Sequence, residues 1–84
     1  MRLWLLRPAS ELRNDKRSAP WVPWYDKAFG FVVRAPDEAT ARVLAAKQAG
    51  DEKPEAWADS AISSCMELLP DGDEGVIMCD FAAA

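Results

Sequence analysis

Three short stretches of this 84-residue chain hold the side chains that could do chemistry: Ser63-Ser64-Cys65, the pair Cys65 and Cys79, and Asp71-Gly72-Asp73-Glu74-Gly75. The first offers nucleophiles, the second a thiol or disulfide site, and the third a carboxylate loop. The rest of the sequence completes none of them. The chain has no histidine, which removes the commonest general base, every triad built on imidazole and the commonest zinc ligand. Neither a glycine-rich elbow nor a lysine stands beside Ser63 or Ser64 to activate a hydroxyl. Cys65 is expected to act as a small buried hydrophobe. Two cysteines cannot close a structural zinc site within one chain. The acidic loop lacks the twelve-residue spacing and terminal bidentate glutamate of a calcium loop. No helix follows Gly72 and Gly75 to make a phosphate-binding turn. The expectation is a protein that is not an enzyme and carries no metal or cofactor.

Charge is the feature left to explain. Residues 1–34 carry seven basic side chains (Arg2, Arg7, Arg13, Lys16, Arg17, Lys27, Arg34) against three acidic ones (Glu11, Asp15, Asp26). Residues 35–84 carry three basic against eleven acidic, so the two parts are +4 and −8 and sum to the net −4. Such polarity points to an electrostatic partner. Arg7, Arg13, Lys16 and Arg17 could meet phosphates, but the acidic residues among them and the net charge argue against direct nucleic-acid binding. The acidic set is more informative: Asp51, Glu52 and Glu55 past a helix end, and Asp71, Asp73 and Glu74 on a turn. Carboxylates at a helix C-terminus oppose its dipole by about 0.3–1 kcal/mol each, so stability alone gives no reason for them there. A face of such residues could occupy a basic groove in place of phosphates. The alternative binding surface is aromatic, with Trp21, Trp24 and Tyr25 forming a stacking platform for a small ligand or peptide.

The elements that must carry these residues can be read in outline. Arg2-Leu3-Trp4-Leu5-Leu6-Arg7 is apolar on both alternating faces, as for a strand in the middle of a sheet or covered on both sides. Pro8 ends it, and a long exposed loop at about 8–27 follows. In Phe29-Gly30-Phe31-Val32-Val33-Arg34 the phenylalanines and Val33 share a face that should meet the core. Pro36-Asp37-Glu38 reads as a helix start. The helix should run to about Gln48 or Ala49, stop at a left-handed Gly50, and pack through Ala39, Val43 and Ala46 with Leu44 at the flank. Residues 51–59 read as an acidic connection. Residues 64–69 and 76–81 read as strands around Pro70-Asp71-Gly72-Asp73-Glu74-Gly75, a hairpin that would set Cys65 and Cys79 nearly opposite and make a disulfide conceivable. The expected fold is one α+β domain over 1–84, a small mostly antiparallel sheet of about four strands with one helix on one face, in the order β-β-α-β-β. The apolar start at Leu3 is too short for a signal peptide, and no run reaches membrane-spanning length, so a cytoplasmic protein with reduced thiols is expected.

PWVPWYDKAFGFVVRA, DEATARVLAAKQAGDE, the tryptophan of PEAWAD and SSCMELLPDGDEGVIMCDF together resemble a group of small uncharacterised proteins of bacteria and their phages. The resemblance covers most of the chain beyond Ala19 and supplies no site residues. In size, acidity and lack of catalytic groups the chain is also similar to anti-CRISPR proteins directed at type I surveillance complexes. The resemblance implies a non-catalytic inhibitor in a bacterial host, bound to a host protein or ribonucleoprotein such as a type I CRISPR effector, with no direct nucleic-acid or membrane contact. A homodimer is left open. In that picture Asp51, Glu52, Glu55, Asp71, Asp73 and Glu74 meet the basic groove. Charge reversal at Asp51, Glu52 and Glu55 should then abolish inhibition with the melt nearly unchanged.

Overall fold

The computed structural model describes residues 1–9, 20–22 and 26–80. Three strands, β1 (Arg2–Pro8), β2 (Phe31–Ala35) and β3 (Ser63–Leu68), form an antiparallel sheet in the order β2-β1-β3. Leu6 lies between Phe31 and Cys65, and Leu3 between Arg34 and Leu68. The run from Trp4 to Leu6 is buried throughout, as an all-apolar central strand requires. With side chains alternating along each strand, Trp4, Leu6, Phe31, Val33, Ala35 and Cys65 share the face on which the main core is built.

Two helices cover that face. Helix α1 (Glu38–Lys47) starts where Asp37 accepts the Thr40 amide at 2.8 Å. This side-chain cap supplies one of the unpaired first-turn donors. Hydrogen bonds from Thr40 hold the Asp37 carboxyl below its ordinary range. The buried stripe of α1 is Ala41 and Ala45, not Ala39, Val43 and Ala46; Ala46 is half-buried, while Val43 and Leu44 are exposed. The rotation follows from Arg42. Its guanidinium reaches the Trp57 carbonyl oxygen and Ser63 Oγ through Nη1, both at 2.9 Å, and the Ser63 carbonyl oxygen through Nη2 at 3.1 Å. Glu38, one turn earlier, accepts from Arg42 Nε at 2.9 Å. With Arg42 bridging to β3, the two alanines next to it along the helix face are the ones that meet the sheet, and their small side chains permit close approach to Trp4 and Trp57.

The connection expected over 51–59 contains a second helix, the single turn α2 (Pro54–Ala58), with proline in its first turn. There the missing amide costs nothing, because first-turn donors lack helical partners anyway. α2 lodges Trp57 at the centre of the core, its ring 5.0 Å from that of Trp21 and 4.9 Å from that of Phe31, both edge-on. Edge-to-face pairs of this kind contribute about 0.5–1.5 kcal/mol each beyond the buried area. Each core tryptophan also finds an acceptor: Trp4 Nε1 donates to the Ala35 carbonyl oxygen and Trp21 Nε1 to that of Ile62, both at 3.0 Å.

The expected fourth strand does not form: residues 69–80 follow β3 exposed and outside any strand, and Phe81 lies outside the described residues. Among the described residues the architecture is α+β with three strands and two helices, in the order β-β-α-α-β. A six-residue acidic turn is a weak guide to register, since two-residue turns are what fix hairpin pairing. Gly50 is not a left-handed stop either. No glycine among the described residues has positive φ, whereas Lys53 does, at 77°. The connection after Pro8 is not exposed throughout, because Ala9 and Trp21 are buried. Phe29 precedes β2 and is partly exposed, with its ring 6.0 Å from that of Trp21. Among the described residues no helix is long and apolar enough to cross a membrane.

Candidate functional site

The acidic residues fall into two groups with different surroundings. Asp51 and Glu52 belong to the link between the helices, where Glu52 is buried and Asp51 stays exposed but bonds back to Asp26. The Asp51 amide donates to the Asp26 carbonyl oxygen at 2.7 Å, and Asp51 Oδ2 accepts the Asp26 amide at 3.1 Å. Glu52 is only 2 % exposed. Its Oε1 accepts the amides of Ala28 and Gly50 at 3.1 and 3.0 Å, and its Oε2 accepts Trp57 Nε1 at 2.6 Å. This carboxylate gathers donors from the segment before β2, the end of α1 and the core tryptophan, so it cannot also meet a partner's lysine. Gly50 is part of the same clasp. A Cβ there would stand 2.3 Å from the Asp26 carbonyl oxygen, a distance no side chain tolerates. The expected partner role of Glu52 is corrected accordingly: it locks residues 26–28 to the helical layer, and Asp51 reinforces it.

Asp71, Asp73 and Glu74 occupy the other setting. They lie in segment 69–80, where every residue is exposed and the charged side chains are all acidic, Asp80 included. Asp71 Oδ1 accepts the neighbouring Gly72 amide at 2.9 Å. Neither Arg2–Glu67 nor Arg42–Glu38 involves this group, and no cation among the described residues pairs with it. Glu55 is also exposed, on the first turn of α2. The structure therefore brings Asp71, Asp73 and Glu74 together along one segment, puts Glu55 on the surface apart from them, and takes Glu52 out of the set.

The aromatic platform loses its first member. Trp21 is buried against Trp57 with its indole nitrogen bonded, while Trp24 and Tyr25 lie outside the described residues. Lys27 ties down residues 20–22, donating to the carbonyl oxygens of Pro20 and Val22 at 2.9 and 2.7 Å. Both cysteines are free, Cys65 half-buried and Cys79 exposed. Burial, with a smaller contribution from Glu38 that Arg42 opposes, pushes the Cys65 thiol above its ordinary value, which disfavours a nucleophilic thiolate. Ser63 is held by Arg42 and bonds the Asp59 carbonyl oxygen, and Ser64 bonds that of Arg7. Both hydroxyls tie the backbone and have no hydrogen-bonded base among the described residues. Among the described residues no cluster of three or more potential ligands could hold a metal ion.

One surface feature was missed in the sequence. Between α1 and α2 lies an open, mostly apolar groove lined by Ala39, Val43, Ala46, Pro54 and Ala58 together with Arg42 and Lys47. The signal was the same alanine and valine stripe, read with the wrong side of the helix inward. No protein-family model, curated protein or solved structure matches the chain.

Proposed function

We propose that this chain is a non-catalytic inhibitor of the anti-CRISPR-like, phage-borne kind, which binds a host nucleic-acid-handling complex such as a type I CRISPR effector and keeps DNA off it. The observation behind this reading is segment 69–80, in which Asp71, Asp73 and Glu74 stand exposed and unneutralised beside exposed Val76 and Ile77. Carboxylates so placed suit the lysines and arginines of a phosphate-binding groove, speed encounter and repel the nucleic acid they replace. Glu55, exposed on α2, adds to the acidic surface of the protein. In this reading the clasp at Asp51 and Glu52 has a supporting part, keeping the sheet and helices rigid while the segment makes contact.

The test is target-DNA binding by a purified type I effector with and without the protein. The native chain should weaken DNA binding, more strongly at low salt. The variant carrying Asp71→Lys, Asp73→Lys and Glu74→Lys should leave DNA binding intact while melting like the native chain. Full inhibition by that variant would rule out the acidic segment as the contact, and no inhibition by the native chain across type I effectors would rule out the proposed target.

A further inference from the structure

The sheet has a second face. Leu3, Leu5, Val32, Met66 and Leu68 alternate away from the helices, and Leu5 is 2 % exposed although its cross-strand neighbours Val32 and Met66 are 60 % and 46 % exposed. Segment 69–80 joins no ladder, yet it touches the rest of the molecule at a definable point. A Cβ built on Gly30 would stand 3.3 Å from Met78 Cε and 3.4 Å from the Leu6 carbonyl oxygen. The Met78 methyl group thus lies over the backbone of Gly30 where a side chain would otherwise project. Counting back from Phe31, which faces the main core, the alternation directs Gly30 to the second face. Met78 is 40 % exposed, against 84 % for Val76 two residues earlier. It is half seated and still open to a small solute.

We infer that Met78 is an oxidation-sensitive latch: its thioether holds segment 69–80 against the second face at Gly30, and conversion to the sulfoxide releases the segment. The chemistry balances with a peroxide as the oxidant. A sulfur lone pair attacks one oxygen of hydrogen peroxide, an S–O bond forms as the O–O bond breaks, and the departing hydroxide takes the proton of the attacked oxygen and leaves as water. Sulfur loses two electrons and the peroxide gains them. The product is polar and carries a strong acceptor oxygen, and beside the Met78 methyl the atom nearest the seat outside Gly30 and its chain neighbours is the Leu6 carbonyl oxygen, another acceptor. An apolar methyl fits that seat and a sulfoxide does not. The inference rests on Gly30 and Met78 alone and is independent of what the acidic residues bind.

The experiment uses the full chain with Cys65→Ala and a nitroxide on exposed Cys79, one residue from the latch. The line shape should be restricted before treatment. It should become mobile when hydrogen peroxide has oxidised Met78, as read by mass spectrometry. Met78→Leu keeps an apolar group for the seat but cannot be oxidised at that position, and should stay restricted under the same treatment even as Met66 is oxidised. Gly30→Val, which fills the seat, should give the mobile line shape without peroxide; if that variant fails to fold, the peroxide and Met78→Leu arms decide alone. A label already mobile in the untreated protein, one still restricted once Met78 is oxidised, or a Met78→Leu protein that loosens as the native chain does would each overturn the latch.

Discussion

Asp51-Glu52 and Asp73-Glu74 are the same dipeptide, 22 positions apart, and the fold uses them in opposite ways. The first pair is bound into the fold: Glu52 is buried and accepts three N–H donors, and Asp51, though exposed, joins Asp26 through backbone and side chain. The second pair points into solvent with no cation beside it among the described residues. Identical side chains diverge because of what surrounds them in sequence. Glu52 has Gly50 two residues before it, which lets the Asp26 carbonyl approach, and Trp57 five residues after it, which supplies an indole N–H. Glu74 stands between Asp73 and Gly75, with no donor side chain within four residues on either side. A carboxylate becomes structural when the chain supplies enough donors to replace its water, and remains available to a partner when it does not.

The largest effect should come from removing the inward carboxylate. Glu52→Ala leaves the Ala28 and Gly50 amides and the Trp57 indole without their acceptor, a loss of roughly 3 kcal/mol when buried donors go unpaired. In a domain of this size that lowers Tm by on the order of 15 °C. It also makes charge reversal at Glu52 a test of folding, since the variant would lose binding for want of a native state. Glu52→Gln should lose less, because one amide oxygen remains to accept while the NH2 group faces a donor. A melt of Glu52→Ala within 2 °C or so of the native chain would erase the distinction between the two acidic groups.

Gly50→Ala comes next. The added methyl collides with the backbone of Asp26, and backbone cannot swing aside as a side-chain tip can. A loss of about 2 kcal/mol is expected, in the range for overpacking a tight contact. Chemical denaturation should show a lower midpoint with unchanged slope. Gly72→Ala, in the outward segment, has nothing within 4 Å of the new atom and should leave the midpoint where it is.

Parts of this contrast were legible in the sequence and parts were not. The all-apolar run from Leu3 to Leu6 marked the central strand, and Asp37 marked the start of α1, because both signals are local. The inward role of Glu52 depended on Ala28, 24 residues away, which no periodicity reveals. The face of α1 was misjudged because alanines lie on both sides of that helix, and the deciding contact, Arg42 with Ser63, spans 21 residues. The stretch Val76-Ile77-Met78 looked like a strand on composition. A strand also needs a partner in register, and the acidic turn before it supplies none. For the outward acidic residues the sequence reading and the structure agree on exposure, since a solvated segment depends little on the rest of the fold.

The cysteines divide along the same line as the carboxylates and predict a smaller effect. Cys65 sits on β3 facing the core and Cys79 lies in the exposed segment, so a thiol reagent should modify Cys79 first, with Cys65 following at a rate set by local opening. The sign of the pH dependence follows from burial. The folded state holds the Cys65 proton more tightly than the unfolded chain, so its contribution to stability is complete below the ordinary thiol value of 9.0 and is lost as pH rises through the higher folded value. Denaturation midpoints measured upward from pH 8 should therefore fall less steeply in Cys65→Ala than in the native chain. An identical slope in the two proteins would show that the thiol titrates as freely as if it lay in the exposed segment.

The smallest effect on stability belongs to the outward group, and there the absence of an effect is the informative result. Asp71→Asn, Asp73→Asn and Glu74→Gln together remove three charges that pair with no cation among the described residues. The midpoint should move by no more than about 0.5 kcal/mol, as for surface positions free of special contacts. Any shift should be upward, because three like charges on one short segment repel one another, and added salt should shrink it. A triple variant destabilised as far as Glu52→Ala would mean that the segment is held to the sheet by its carboxylates. The two acidic groups would then be two parts of one structural system, and the charge offered to a partner would have to be sought at Glu55.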